Sequence, residues 1–222
     1  MSSDTSRRGL ERLPVEILHG ILSRLSDIQS LAATVLTGPY LYYAFLDAQS
    51  WITEEVLLRQ IPTELLHDAL AGEVSSHRDI WAREQAKDFL AKYLARDQQP
   101  FHSYLQWTLS QTLSLARFYR IVEFFTASLV SSILTQRPSA WPVSPSEKSR
   151  IDRNFYRFQI YCNVFRNKDN IPIRPSDAQR EVYFGHFAPW ENEQLACIQD
   201  YLHGVMTPGS YFNCSLTLII IK

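Results

Sequence analysis

The sequence predicts a mainly α-helical protein, with an N-terminal module of three short helices followed by an irregular helical bundle. Three observations carry this reading. Apolar residues recur at spacings of three and four along most of the chain. Prolines and glycines punctuate those stretches at helix-length intervals. The one β-branched run, Leu216 with Leu218 to Ile221, has no partner strand to pair its backbone.

The first helix is marked by Leu13, Ile17, Leu18, Ile21, Leu22 and Leu25, with Pro14 in a first turn that needs no N–H from it. Ser26 and Asp27 offer an N-cap for a second, carrying Ile28, Leu31, Ala32 and Val35 and stopped by Gly38-Pro39. A third runs through Tyr40, Tyr43, Ala44 and Leu46. Residues 8–52 form a module too small to bury enough surface on its own, so it leans on a partner or on the rest of the chain.

Residues 53–206 read as a helical recognition or scaffold region. Helical stretches are expected over Glu54 to Gln60, over Thr63 to Ala71 with Gly72 closing it, and over His77 to Arg96. Tyr104 to Gln136 sustains the period as one long helix or as two with a break near Thr112 to Ser114. A proline-bearing linker follows, and Ser144-Pro145-Ser146-Glu147 then reads as a capping box. The helix it starts presents Ile151, Phe155, Phe158, Cys162 and Phe165 on one face. Pro189 opens the last helix, through Leu195, Ile198, Leu202 and Val205. Residues 207–222 read as an irregular or abnormal C-terminal tail.

The charge balance narrows function. Of 222 residues, 22 are basic and 23 acidic, a net of -1 that gives no overall field for nucleic acid or an anionic membrane. Cys162, Cys197 and Cys214 are widely spaced with no CxxC pair, which points to reduced thiols in an intracellular protein. The polar start lacks the apolar core of a signal peptide, and the uncharged run Phe124 to Leu134 is shorter than the roughly 20 residues a spanning helix needs. Cytoplasm or nucleus is the expected location.

Catalytic signatures are missing from the sequence. Its histidines form no HxxxH pair, seven glycines supply no phosphate-cradling loop, and no GxSxG string occurs. The acidic pairs Glu54-Glu55 and Glu191 with Glu193 read as a solvated face or a helix N-terminus. No catalytic residue, metal or cofactor is expected. A triad assembled from distant residues stays open as an alternative.

Residues 145–180 hold eight basic and four acidic side chains. Arg150, Arg153 and Arg157 line one edge of the capped helix, either as a stripe for an acidic partner or as a solvated face paired with acids of residues 53–97.

The most specific string is Leu13-Pro14-Val15-Glu16-Ile17-Leu18-His19-Gly20-Ile21-Leu22-Ser23-Arg24-Leu25, followed by Asp27-Ile28 and Leu31. It resembles the F-box, whose pattern is Leu-Pro-x-Glu-Ile/Leu-Leu-x-x-Ile-Leu-x-x-Leu and then a second short helix. Where that family carries a Val-Cys and aromatic segment in its third helix, this chain has Val35-Leu36-Thr37-Gly38-Pro39-Tyr40, with Tyr43 or Trp51 as substitutes for the aromatic. Together with Phe155 to Cys162 and Glu193 to Ile198, the stretch Leu13 to Pro62 is also similar to a group of fungal F-box-containing proteins.

The resemblance implies a three-helix module that docks on the adaptor Skp1 and brings a protein substrate to a cullin-RING ubiquitin ligase, without catalytic residues of its own. Leu13, Pro14, Ile17, Ile21, Leu25 and Leu31 are the adaptor-binding residues it implies, spaced as helix-in-groove anchors. Periodicity leaves a second possibility open: the same side chains pack into the chain's own core. A non-degradative helical scaffold is the corresponding alternative function.

Overall fold

A computed structural model describes residues 9–77, 82–94, 107–136, 142–165 and 181–206. Among these, every extended regular element is helical: α1 Val15–Leu22, α2 Ile28–Val35, α3 Pro39–Asp47, α4 Gln49–Gln60, α5 Thr63–Ser76, α6 Arg83–Leu94, α7 Leu109–Gln136, α8 Pro145–Phe165 and α9 Pro189–Met206. The mainly α prediction holds. The chain divides into two units, residues 1–63 with 102–119 and residues 64–101 with 120–222.

In the first unit Asp27 caps α2 as expected, its Oδ1 accepting from the Ser30 amide at 2.8 Å. That hydrogen bond, with one from the Ser26 hydroxyl, holds the Asp27 carboxyl below its usual range. Pro39 opens α3 at its first position, where a missing N–H costs nothing. Leu18 and Leu22 of α1 and Ile28, Leu31 and Val35 of α2 are buried in the unit, along with Phe45, Ile52, Val56 and Leu57. Burying each of the larger aliphatics contributes about 1.5–3 kcal/mol.

The module extends past residue 52, because that position lies inside α4. Arg59 of α4 donates to the Leu25 carbonyl at 3.2 Å, and Gln60 Oε1 accepts from the Ile28 amide at 3.2 Å. Trp107, almost fully buried, adds a further tie. Its amide donates to Ser50 Oγ at 3.3 Å, and its carbonyl accepts from the Thr53 hydroxyl at 3.2 Å.

In the second unit α8 is central. The sequence suggested one apolar face, yet nearly every residue from Asp152 to Val164 is buried. Its polar side chains enter the core with partners: Asp152 accepts from the Thr126 hydroxyl at 2.6 Å, and Asn163 donates to Ser75 Oγ at 2.9 Å. Gly72 does not close α5, which continues to Ser76. The Gly72 carbonyl instead accepts from Asn163 at 3.3 Å and from the Ser75 hydroxyl at 2.8 Å.

The capping box at Ser144 forms as expected. The Ser144 amide donates to Glu147 Oε2 at 2.8 Å and the Glu147 amide to Ser144 Oγ at 3.3 Å. The long helix is continuous rather than broken near Thr112, whose hydroxyl bonds the carbonyls of Thr108 and Leu109 within the helical turn. By length and composition α7 suffices to cross a bilayer. Its buried residues Thr112, Leu115, Ala116, Tyr119, Val122, Phe125 and Thr126 make a one-sided stripe, as in a helix packed along one face. The expected helix from His77 begins at Arg83; Ile80 and Trp81 lie outside the described residues, as do His102, Cys214 and the tail.

Candidate functional site

The apolar residues of α1 do not share one stripe. Leu18 and Leu22 are fully buried, whereas Ile17 is 50% exposed and Ile21 38%. In this eight-residue helix, with apolar side chains on two faces, the unit's own core covers only one of them.

α3 repeats this arrangement. Ala44 and Phe45 are buried, and the outward stripe Pro39, Tyr42, Tyr43 and Leu46 sits at i, i+3, i+4 and i+7, with Tyr43 69% exposed. A solvent-facing stripe at that spacing is ordinarily charged or polar. Tyr42 and Tyr43 meet edge to face with centroids 5.9 Å apart. Leu10, Leu36 and Trp51 of the same unit are exposed as well.

The helices that carry these rows approach each other at two polar pairs, the first of them a hydrogen bond. The Tyr40 hydroxyl donates to the Leu13 carbonyl at 2.7 Å, at the start of both helices. His19 Nε2 lies 3.5 Å from Asp47 Oδ2 near their ends. α1 and α3 therefore run in the same sense, each turning an apolar row outward. Exposed apolar rows of this kind are the raw material of an interaction site, and tyrosine and tryptophan are the residue types enriched where binding energy concentrates.

The sequence-derived adaptor residues divide accordingly. Pro14, Ile17 and Ile21 are exposed, and Leu13 and Leu25 are half-buried. Leu31 is a correction: it is fully buried, because Ile28, Leu31 and Val35 are the only large apolar face of α2 and pack into the core. Nothing in the sequence marks Tyr42 and Leu46 for docking, since periodicity shows which residues share a face and not whether that face is covered.

Of the two readings of the basic stripe, the structure shows the pairing with acids of residues 53–97, since Arg153 and Arg157 both lie beside Asp68, but not a solvated face along its whole length. Arg150 is exposed, but Arg153 donates through Nε to Asp68 Oδ2 at 3.3 Å and through Nη2 to the Glu64 carbonyl at 3.2 Å. Arg157 is buried, with Nη1 3.1 Å from Glu191 Oε1 and its guanidinium carbon 4.5 Å above the Phe187 ring. Because α8 is enclosed, two of the three arginines turn inward and are spent on the fold. Glu191 is correspondingly no solvated acid: it is buried and accepts from the Ala188 amide at 3.0 Å.

Among the described residues no three histidine, cysteine, aspartate or glutamate side chains gather as a metal site. No family model matches the chain, and no curated protein or solved structure matches it either.

Proposed function

We propose that the chain is a non-catalytic substrate receptor whose N-terminal helices dock on the adaptor Skp1 and so deliver a protein bound elsewhere on the chain to a cullin-RING ubiquitin ligase. One observation carries the reading: the outward apolar rows of α1 and α3, in the unit that holds the F-box-like string. Residues 13–25 already fit the pattern that the resemblance ties to adaptor docking, and Pro14, Ile17 and Ile21 stand exposed at one-turn spacing. Side chains of this type gain most from a partner surface that removes them from water.

The test is capture of purified Skp1 by the wild-type chain and by the Ile17→Asp, Ile21→Asp variant, each checked for helicity by circular dichroism. The reading expects capture by wild type and a loss of at least about tenfold in the variant, as for removal of two anchor residues. Capture by neither, or equal capture by both, overturns it. Skp1 capture with no recruitment of a cullin would mark a non-degradative scaffold instead.

A further inference from the structure

We infer that Tyr40 is a positioning residue for this docking surface, acting through the carbonyl of Leu13; the inference rests on the adaptor reading above. Leu13 and Pro14 are the first anchors implied by the F-box-like string, and both precede the first turn of α1. The Leu13 amide donates back to the Leu10 carbonyl at 3.1 Å, and α1 engages the Pro14 carbonyl but not that of Leu13. Pro14 stands at the N-cap with no side-chain hydrogen bond, and the first helical amides, those of Ile17 and Leu18, bond to the Pro14 carbonyl at 3.0 and 3.3 Å. The Leu13 carbonyl therefore takes no part in the helical ladder, and proline supplies no N–H to lock the peptide.

The Tyr40 hydroxyl, donating to that carbonyl at 2.7 Å, reaches it from α3. Tyr40 is the second residue of α3, so its ring is set by a helix that Pro39 starts at a fixed φ. The consequence is preorganisation. The Leu13-Pro14 peptide is held on the free protein in one orientation relative to the outward row of α3, and a partner need not order it on binding. Tyr40 also closes the segment in which the chain departs from the F-box pattern, which gives that departure a role: this tyrosine supplies the tie between first and third helices.

Tyr40→Phe tests this. It removes one hydroxyl, keeps the ring and its packing, and leaves every outward apolar residue in place. Skp1 affinity is measured by calorimetry at a temperature where circular dichroism shows both proteins fully folded. The expected result is binding about fivefold to tenfold weaker, the weight of one partly buried hydrogen bond. In a background already carrying Leu13→Ala and Pro14→Ala, Tyr40→Phe is expected to change affinity by less than about twofold, because residues acting through one another are not additive.

Unchanged affinity in Tyr40→Phe overturns the inference and leaves the adaptor reading intact. Effects that multiply in the triple variant also overturn it, since Tyr40 would then act elsewhere than through Leu13 and Pro14. A wild-type chain that does not bind Skp1 overturns the adaptor reading itself, and the inference falls with it.

Discussion

Arg157 of α8 and Glu191 of α9 meet at 3.1 Å with both side chains more than nine-tenths buried. The pair does two jobs, because the second Glu191 oxygen accepts from the Ala188 amide at 3.0 Å and so caps α9. The Tyr183 hydroxyl adds a bond to the Arg157 carbonyl at 2.5 Å. Removing one charge from such a site strands the other in a medium that solvates it poorly. Arg157→Ala leaves both Glu191 and Asp68 less compensated and is expected to cost about 3–5 kcal/mol in urea denaturation. Arg157→Met combined with Glu191→Gln keeps an acceptor for the cap and removes both charges, so its loss should be smaller than that of Arg157→Ala alone. A larger loss in the double variant would show that the ion pair outweighs its desolvation.

Asp68 supplies a pH test whose sign is fixed by burial. Burial pushes its carboxyl above the ordinary aspartate range, against the pull of Arg157 and Arg153. A group that binds its proton more tightly in the folded state contributes stability that is fully present below the unfolded pKa. That stability is lost as pH rises through the folded pKa. Wild type should therefore lose stability relative to Asp68→Asn as pH climbs from about 4 toward neutrality, measured by urea midpoints at several pH values. If the asparagine variant weakens relative to wild type over that window, the two arginines outweigh burial.

The N-cap of α2 behaves in the opposite sense. Hydrogen bonds from the Ser30 amide and the Ser26 hydroxyl hold the Asp27 carboxyl below its usual value, so its contribution is present above the unfolded pKa and disappears as pH falls through the folded one. Asp27→Ala should cost about 1 kcal/mol near neutrality, the usual weight of an N-cap. As pH falls below the unfolded value and then through the folded one, the gap between wild type and variant should narrow. A gap that persists in acid would assign the loss to packing rather than to the cap.

What the sequence made legible follows the range of the interactions involved. The caps at Asp27 and Ser144 were readable because donor and acceptor lie three residues apart. The start of α4 at Gln49 was not, since Ala48 provides no side-chain cap to announce it. Gly72 resembled a stop signal, but its carbonyl is engaged by Asn163 of α8, 91 positions away, and no local rule reports such a partner. Glu191 looked like an ordinary acid at a helix start for the same reason: Arg157 lies 34 residues upstream. For the docking surface, spacing identified Ile17 and Ile21 correctly as neighbours of Leu18 and Leu22. Only packing reveals that the first pair faces water and the second the core.

That division between the two faces of α1 predicts how substitutions there affect the isolated protein. Ile17 and Tyr43 are respectively 50% and 69% exposed, so a charge at either side chain meets water rather than the interior, and folding should tolerate it within about 0.5 kcal/mol. Leu18 is fully buried one position along the same helix; Leu18→Ala removes methyl groups from a packed site and should cost about 2–5 kcal/mol. Self-association responds in the reverse order. Ile17→Glu with Tyr43→Glu breaks an exposed apolar surface and adds negative charge, both of which oppose non-specific contact between copies. Light scattering at raised concentration should therefore show less aggregate for the double glutamate variant than for wild type, at an unchanged helical signal. Leu18→Ala, by loosening the fold, should show more. If the glutamate variant instead loses helicity, the rows on α1 and α3 are covered by the protein itself, and the surface assigned to the adaptor is part of the core.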